Sequence, residues 1–214
     1  MNVAEQARQD GCDTVVYAST SSIYGSRTEP TPEDVEVTVN TGYEASKMAR
    51  EQYAEYFSNH YGMSLAGLRY FSVFQGYGGA EEHKGEYANV IAQFADDIAN
   101  GESPKLYANG EQTRDFTHVS DIVRGTELAA ECELDGAYNL GTGDRYSFNT
   151  VVNLINDELN TNVDPEYVSN PIPESVYVYD TCADSSKMQA ETGWEPEISF
   201  REGIRRVCAR YKNE

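Results

Sequence analysis

A tyrosine at position 43 stands four residues before Lys47, where a helix is expected to start, in the stretch Thr-Gly-Tyr-Glu-Ala-Ser-Lys. On a helix, positions i and i+4 share a face, so both side chains can point into one cleft, where an ammonium lowers the cost of forming a phenolate. A tyrosine so placed can take a proton near neutral pH, well below its ordinary pKa of about 10. With 16 tyrosines and five lysines in 214 residues, such a pair also arises by chance. Alone it reads as a surface pair. Upstream, the apolar run Val-Val-Tyr-Ala leads straight into four hydroxyl residues, Ser19, Thr20, Ser21 and Ser22. Ligands of parallel sheets bind beyond the carboxyl ends of the strands, so these hydroxyls would face a ligand. By itself this stretch reads as a solvated serine turn.

The elements that must position these residues alternate between helical spacing and short β-branched runs, an α/β pattern. Helices are predicted over 2–9, 43–61 with Gly62 as its stop, 87–100, 120–132 with Ser120 as cap, 148–159, 185–192 and 199–211. Strands are predicted over 14–18, 64–70, 137–141 and 177–181. A β-rich excursion over 105–119 carries a turn at Asn109-Gly110. The glycine cluster Gly76, Gly78 and Gly79 reads as a loop.

Composition narrows the class. Acidic residues outnumber basic ones 36 to 16, giving a net charge of −20 spread along the chain. That field repels nucleic acid and anionic membrane, so neither is expected as a partner. A carboxylate-rich, lysine-poor surface fits a halophilic protein, whose self-repulsion concentrated salt would screen. The four cysteines form no C-x-x-C pair, so no disulfide framework and no metal site is expected. No apolar run approaches membrane-spanning length and no signal pattern opens the chain, which points to the cytoplasm.

Five blocks in order carry a resemblance: "YASTSSIYG", "YEASK", "LRYFSVFQG", "RDFTHVSDIV" and "YNLGTGDRYSF". Together they resemble the extended short-chain dehydrogenase/reductase family, in particular its NAD-dependent nucleotide-sugar epimerases and dehydratases. The resemblance implies a Rossmann-like parallel sheet over 1–75, with 117–141 returning to it, and a smaller C-terminal α/β substrate domain from 76–116 and 142–214. It implies Tyr43 as general base and acid, Thr20 as hydrogen-bond partner of the reacting sugar oxygen, and Lys47 on the nicotinamide ribose. Ala18, Ser19, Tyr70, Ser72 and Val73 would border NAD. Ser21, Ser22, Ser72, Lys84 and Asn89 would border a nucleotide-diphosphate sugar, and Arg114 would pair with its diphosphate. The reaction implied is transient oxidation of a sugar hydroxyl followed by return of hydride to the other face.

The departures from the family pattern qualify these roles. Ser21 and Ser22 stand where the dehydratase branch has Asp-Glu, so elimination lacks its acid and base. Ser72 and Gln75 replace the usual Asn and Gly. Residues 81–90 and 171–187 are closer to the ADP-heptose 6-epimerases, in which a lysine at the place of Lys84 is a second base. A salt-adapted source speaks against a lipopolysaccharide sugar, which leaves a UDP-glucose 4-epimerase-like enzyme as the leading expectation. A truncated, non-catalytic sugar-nucleotide-binding remnant is the alternative of another class. The resemblance also implies a homodimer of the full-length protein through the helix bearing Tyr43, with Met48, Tyr53, Tyr56 and Phe57 partly exposed.

The family's Gly-x-x-Gly-x-x-Gly turn is not found in these 214 residues, and the first part of the nucleotide-binding unit is expected to be missing. Pyrophosphate binding in this fold depends on helix N-terminal N–H groups and on the close backbone approach that glycine allows. A chain of these residues is therefore expected to bind NAD very weakly. Calorimetry returning micromolar affinity would show that the cofactor is held elsewhere.

Overall fold

The computed structural model describes residues 2–78 and 81–212, so Gly79 of the glycine cluster lies outside them. The chain opens with helix α1 (Asn2–Gln9), strand β1 (Thr14–Ala18) and a short 3-10 turn over Ser21–Tyr24. Helix α2 (Gly42–Tyr61) and strand β2 (Ser64–Tyr70) follow. Beyond them come β3 (Val73–Phe74), α3 (Val90–Ala99), β4 (Lys105–Tyr107), β5 (Thr113–Arg114), β6 (Thr117–His118) and α4 (Val119–Glu131). The chain continues through β7 (Gly136–Leu140), β8 (Tyr146–Ser147), α5 (Phe148–Leu159), β9 (Glu166–Val168), α6 (Ser186–Thr192) and α7 (Phe200–Cys208).

β1, β2 and β7 form a parallel sheet in that order, with Val16 opposite Ala66 and Ala66 opposite Gly136. Side chains alternate across a strand, and β2 shows both faces. Ala66 and Leu68 join Ile122, Ala129 and Trp194 on the α4 face, whereas Leu65 joins Ala54, Phe57 and Met63 on the α2 face. Gly67 is required on the latter face: a Cβ there would lie 2.5 Å from the Tyr17 hydroxyl. A separate apolar core gathers Phe74, Ile91, Leu106, Phe116, Val151 and Ile204 between α3, α5 and α7.

Helix α2 begins where it does because Thr41 and Glu44 form a capping box, Thr41 Oγ1 accepting from Glu44 N at 3.2 Å and Glu44 Oε2 from Thr41 N at 3.1 Å. It ends at Gly62, in the left-handed region at φ 70°. This box puts Tyr43 and Lys47 in the first turns of the helix.

Several expected elements differ. The helix expected from Tyr87 starts at Val90, because Asn89 Oδ1 caps it through Ala92 N. Asn109-Gly110 does form a turn, but its flanks do not pair with each other: β4 pairs with β9, and β5 with β8. Residues 177–181 form no strand; they run as a connector held by single bonds such as Thr113 N to the Tyr179 carbonyl at 2.9 Å. Phe57 is buried, whereas Tyr53 and Tyr56 are exposed and Met48 is half-buried. The cap of α4 is His118, not Ser120: its Nδ1 accepts from Ser120 N at 3.2 Å.

That cap makes a pH prediction. Burial, aided by Arg206, lowers the His118 pKa from its ordinary 6.5, against the opposing pull of Asp121 and Glu202. The unfolded chain therefore takes up the proton first, so the stabilisation is complete above about 6.5 and is lost as pH falls below it. Urea midpoints at pH 7.5 and 5.5 should show a fall that His118→Asn, a cap that does not titrate, reduces. An equal fall in both proteins would refute the assignment.

Candidate active site

The first group of predicted residues is assembled where β1 ends. Lys47 Nζ donates to the Ala18 carbonyl at 3.0 Å, and the side chain is only 9% exposed. The ammonium also lies 5.4 Å from the centroid of the Tyr43 ring, within cation–π range. Tyr43 is 55% exposed, so its ring stands at the rim with the buried ammonium beneath. An ammonium has three donors, and the Ala18 carbonyl engages one. Thr20 is buried and caps the 3-10 turn, its Oγ1 accepting from Ser22 N at 3.2 Å and donating to Ser22 Oγ at 3.1 Å. Ser21 is buried beside it and Ser22 half-buried. The Ser19 hydroxyl donates to Glu51 Oε1, a partner that the sequence reading missed. Its spacing held a signal, since Glu51 lies four residues beyond Lys47.

The second group lines a cleft of about 310 Å³ that follows β2, with Ser72, Val73, Asn89 and Arg114 among its walls. Reading by sequence missed Tyr107, Phe116, Phe148 and Tyr177, the aromatic walls of the same cleft. Arg114 donates to the carbonyls of Thr113 at 2.8 Å, Tyr179 at 2.9 Å and Val178. Its guanidinium carbon lies 5.6 Å from the Phe148 ring centroid and 5.7 Å from that of Tyr177. Among the described residues no carboxylate forms an ion pair with it. Burial accordingly lowers its pKa, and Tyr177 and Asp180 do not cancel the effect. A half-buried cation held by carbonyls and by the Tyr177 side chain, with no carboxylate paired to it, favours an anion in the cleft. Larger hollows of about 540 and 420 Å³ lie beside Gly141–Gly143 and under α2, but neither is lined by a cationic side chain.

Three predicted residues do not present a free side chain here. The Tyr70 hydroxyl pairs with Thr126 Oγ1 at 3.0 Å, on the α4 face of the sheet. Lys84 is outside the cleft walls and its ammonium pairs with Glu81 at 2.9 Å. Asn89 reaches the cleft, but its amide also bonds the Gln75 carbonyl at 2.9 Å while capping α3.

Arg114 is aimed by its neighbour. Asp115 is fully buried and accepts from Thr142 N at 2.8 Å, Thr142 Oγ1 at 2.7 Å, Gly143 N at 2.9 Å and Ala183 N at 3.0 Å. The connector that supplies the Val178 and Tyr179 carbonyls is thereby fixed against β5.

A family model described as the NAD dependent epimerase/dehydratase family matches residues 1–141. The chain is 33% identical over 209 residues to a UDP-glucuronate 4-epimerase of Thermodesulfobacterium geofontis, covering 97% of this chain and 62% of the relative. It is 34% identical over 192 residues to an ADP-L-glycero-D-manno-heptose-6-epimerase of Alkalilimnicola ehrlichii, covering 85% of this chain and 58% of the relative. The chain thus spans less than two thirds of either relative. The crystal structure of the UDP-glucose 4-epimerase of Thermus thermophilus in complex with NAD superposes with a TM-score of 0.84 at 29% identity, covering 99% of this chain and 68% of that one.

Asp115→Ala would strand three backbone N–H groups, each costing about 1–3 kcal/mol when buried without a partner. The expected loss of stability is about 3 kcal/mol or more, read from urea denaturation. A loss near zero would mean that water replaces the carboxylate there.

Proposed function

The chain belongs to the NAD-dependent epimerase/dehydratase family, and we propose that the protein it comes from epimerises a UDP-sugar, in the manner of a UDP-glucose 4-epimerase, through a transient keto sugar. The observation that carries this reading is the Lys47 ammonium held on the Ala18 carbonyl beside the exposed Tyr43 ring. An exposed phenol beside a buried ammonium is placed to exchange a proton with a bound hydroxyl.

In this reading Tyr43 removes the proton of a sugar hydroxyl and later returns it to the same oxygen. Thr20 turns its hydroxyl from the long 3.1 Å bond with Ser22 to that oxygen. Lys47 has donors free for a ribose hydroxyl. Bound there, NAD would supply the hydride acceptor and donor for the sugar carbon. The residues present fit its nicotinamide end, with Ala18, Ser19 and Lys47 at the strand terminus. No glycine-rich pyrophosphate turn occurs in these 214 residues. Arg114 holds the diphosphate of the substrate, and the tyrosine and phenylalanine walls flank its nucleotide.

Lys84 supports this choice over a heptose 6-epimerase, because its ammonium is committed to Glu81 rather than to the cleft. Assembly as a homodimer belongs to the same proposal, with the exposed Tyr53 and Tyr56 on α2 as its contact. The dividing line between a nucleotide unit, 1–75 with 117–141, and a substrate unit is proposed on the same grounds.

Interconversion of UDP-glucose and UDP-galactose with added NAD, in a protein containing these 214 residues and a glycine-rich nucleotide-binding segment, is the expected activity. In that protein Tyr43→Phe should lower kcat by roughly 100-fold or more, as for a lost general base, with NAD affinity little changed. Unaltered turnover would remove Tyr43 from the mechanism.

A further inference from the structure

The inward stripe of α2 continues beyond the tyrosine and lysine. Residues 43, 47 and 51 follow at intervals of four, on one face of the helix, and the stripe goes on through the buried Ala54 and Phe57. Its apolar half packs on Leu65 and Met63. Its polar half faces the terminus of β1, where packing alone gives no fixed register.

Glu51 supplies that register. Its carboxylate receives Arg69 in a two-pronged bond, Nε to Oε1 at 3.0 Å and Nη2 to Oε2 at 2.7 Å, with side-chain exposures of 11% and 6%. The same Oε1 accepts the Ser19 hydroxyl. Arg69 Nη1 continues to the Tyr24 hydroxyl at 2.7 Å and to the Glu33 carbonyl at 2.9 Å, and Tyr24 donates to Asn139 Oδ1 at 2.8 Å. Burial works against the Arg69 charge, but Glu51 and Tyr24 outweigh it, so its pKa is raised. One network thus ties α2 to all three strands.

The ties to β1 are one helical turn apart: Lys47 holds Ala18, and Glu51 holds Ser19, the residue before Thr20. Two contacts a turn apart fix both the height and the rotation of a helix, as one contact does not. We propose that the Glu51–Arg69 pair is a positioning device, which sets α2 against the Ala18–Thr20 segment and so places Tyr43 and Lys47 opposite Thr20. The proposal rests on the functional reading above for the roles of those three residues. It assigns to Glu51 and Arg69 no contact with substrate. A forked guanidinium–carboxylate pair suits the task, because it restricts direction as well as distance.

The test is nuclear Overhauser spectroscopy on the 214-residue chain, between the Lys47 ε-methylene and the methyl groups of Ala18 and Thr20. Cross-peaks among Ile91, Phe148 and Val151, in the separate apolar core, serve as the internal reference. In Glu51→Gln the Lys47 cross-peaks should lose most of their intensity while the reference is kept. A purely structural pair would lower the melting temperature and leave the ratio at its wild-type value, and that result overturns the proposal. Should Glu51→Gln fail to fold, Arg69→Lys keeps the charge and removes the fork, and the same ratio decides. The measurement needs no NAD and no turnover. A failure of epimerase activity would therefore count against the functional reading, whereas an unmoved ratio counts against the positioning role.

Discussion

Five donors converge on the Asp115 carboxylate, the fifth being Thr117 Oγ1 at 3.5 Å. They come from β6, from the loop after β7 and from the start of the segment leading to α6, so one buried charge holds together stretches nearly 70 residues apart in sequence. The arrangement demands close approach: at Gly141 a Cβ would meet the Ala183 methyl at 2.4 Å and Asp115 Oδ2 at 3.0 Å. Glycine at 141 is thus a steric requirement. Asp115 N in turn bonds Thr181 Oγ1 at 3.1 Å, which fixes the connector two residues beyond the carbonyls that hold Arg114. A carboxylate buried without a cation is tolerable because each oxygen takes at least two donors. The direction of the cleft's cation follows from that satisfied charge.

Much of this was legible in the sequence where the signal was local. The bounds of β1 and β2 came out as read, and β2 is buried on both faces as its apolar run implies, whereas β1, at the sheet edge, is only half-buried. The same holds for α5, whose Ser147 cap and Asn160 stop are local features. Failures arose where a distant partner decides. Tyr177 to Thr181 has strand composition, yet it finds isolated partners from several segments instead of a neighbouring strand. A histidine cap is invisible to residue preference, since it depends on the ring nitrogen facing Ser120 N. Lys84 looked available because sequence does not show that Glu81 is buried three residues away.

The site residues divide in the same manner. Tyr43 and Lys47 are readable as a pair because a helix fixes their spacing, and Thr20 because a strand end does. Glu51 and Arg69 are on neighbouring elements, and only the register of α2 on β2 brings them together. The aromatic walls of the cleft come from four separate segments, with no spacing for sequence to reveal.

Charge bears on which side chains could meet an anionic ligand. A net charge of −20 opposes any phosphate-bearing ligand at long range, although salt at physiological strength screens this beyond about 8 Å. Close binding therefore depends on local cations that are not already neutralised. Most arginines of the chain are: Arg8, Arg205, Arg206 and Arg210 pair with glutamates at the surface, where such pairs are worth little. Arg114 and Lys47 are of another kind, and Lys187 with them, since each is anchored on a backbone carbonyl, which orients a cation without cancelling it. Each also lies beside aromatic rings, which stabilise the charge and again leave it uncompensated. In an acidic protein, these three cations are left able to meet an anion at close range. Of these, Arg114 is the one that stands on a cleft wall.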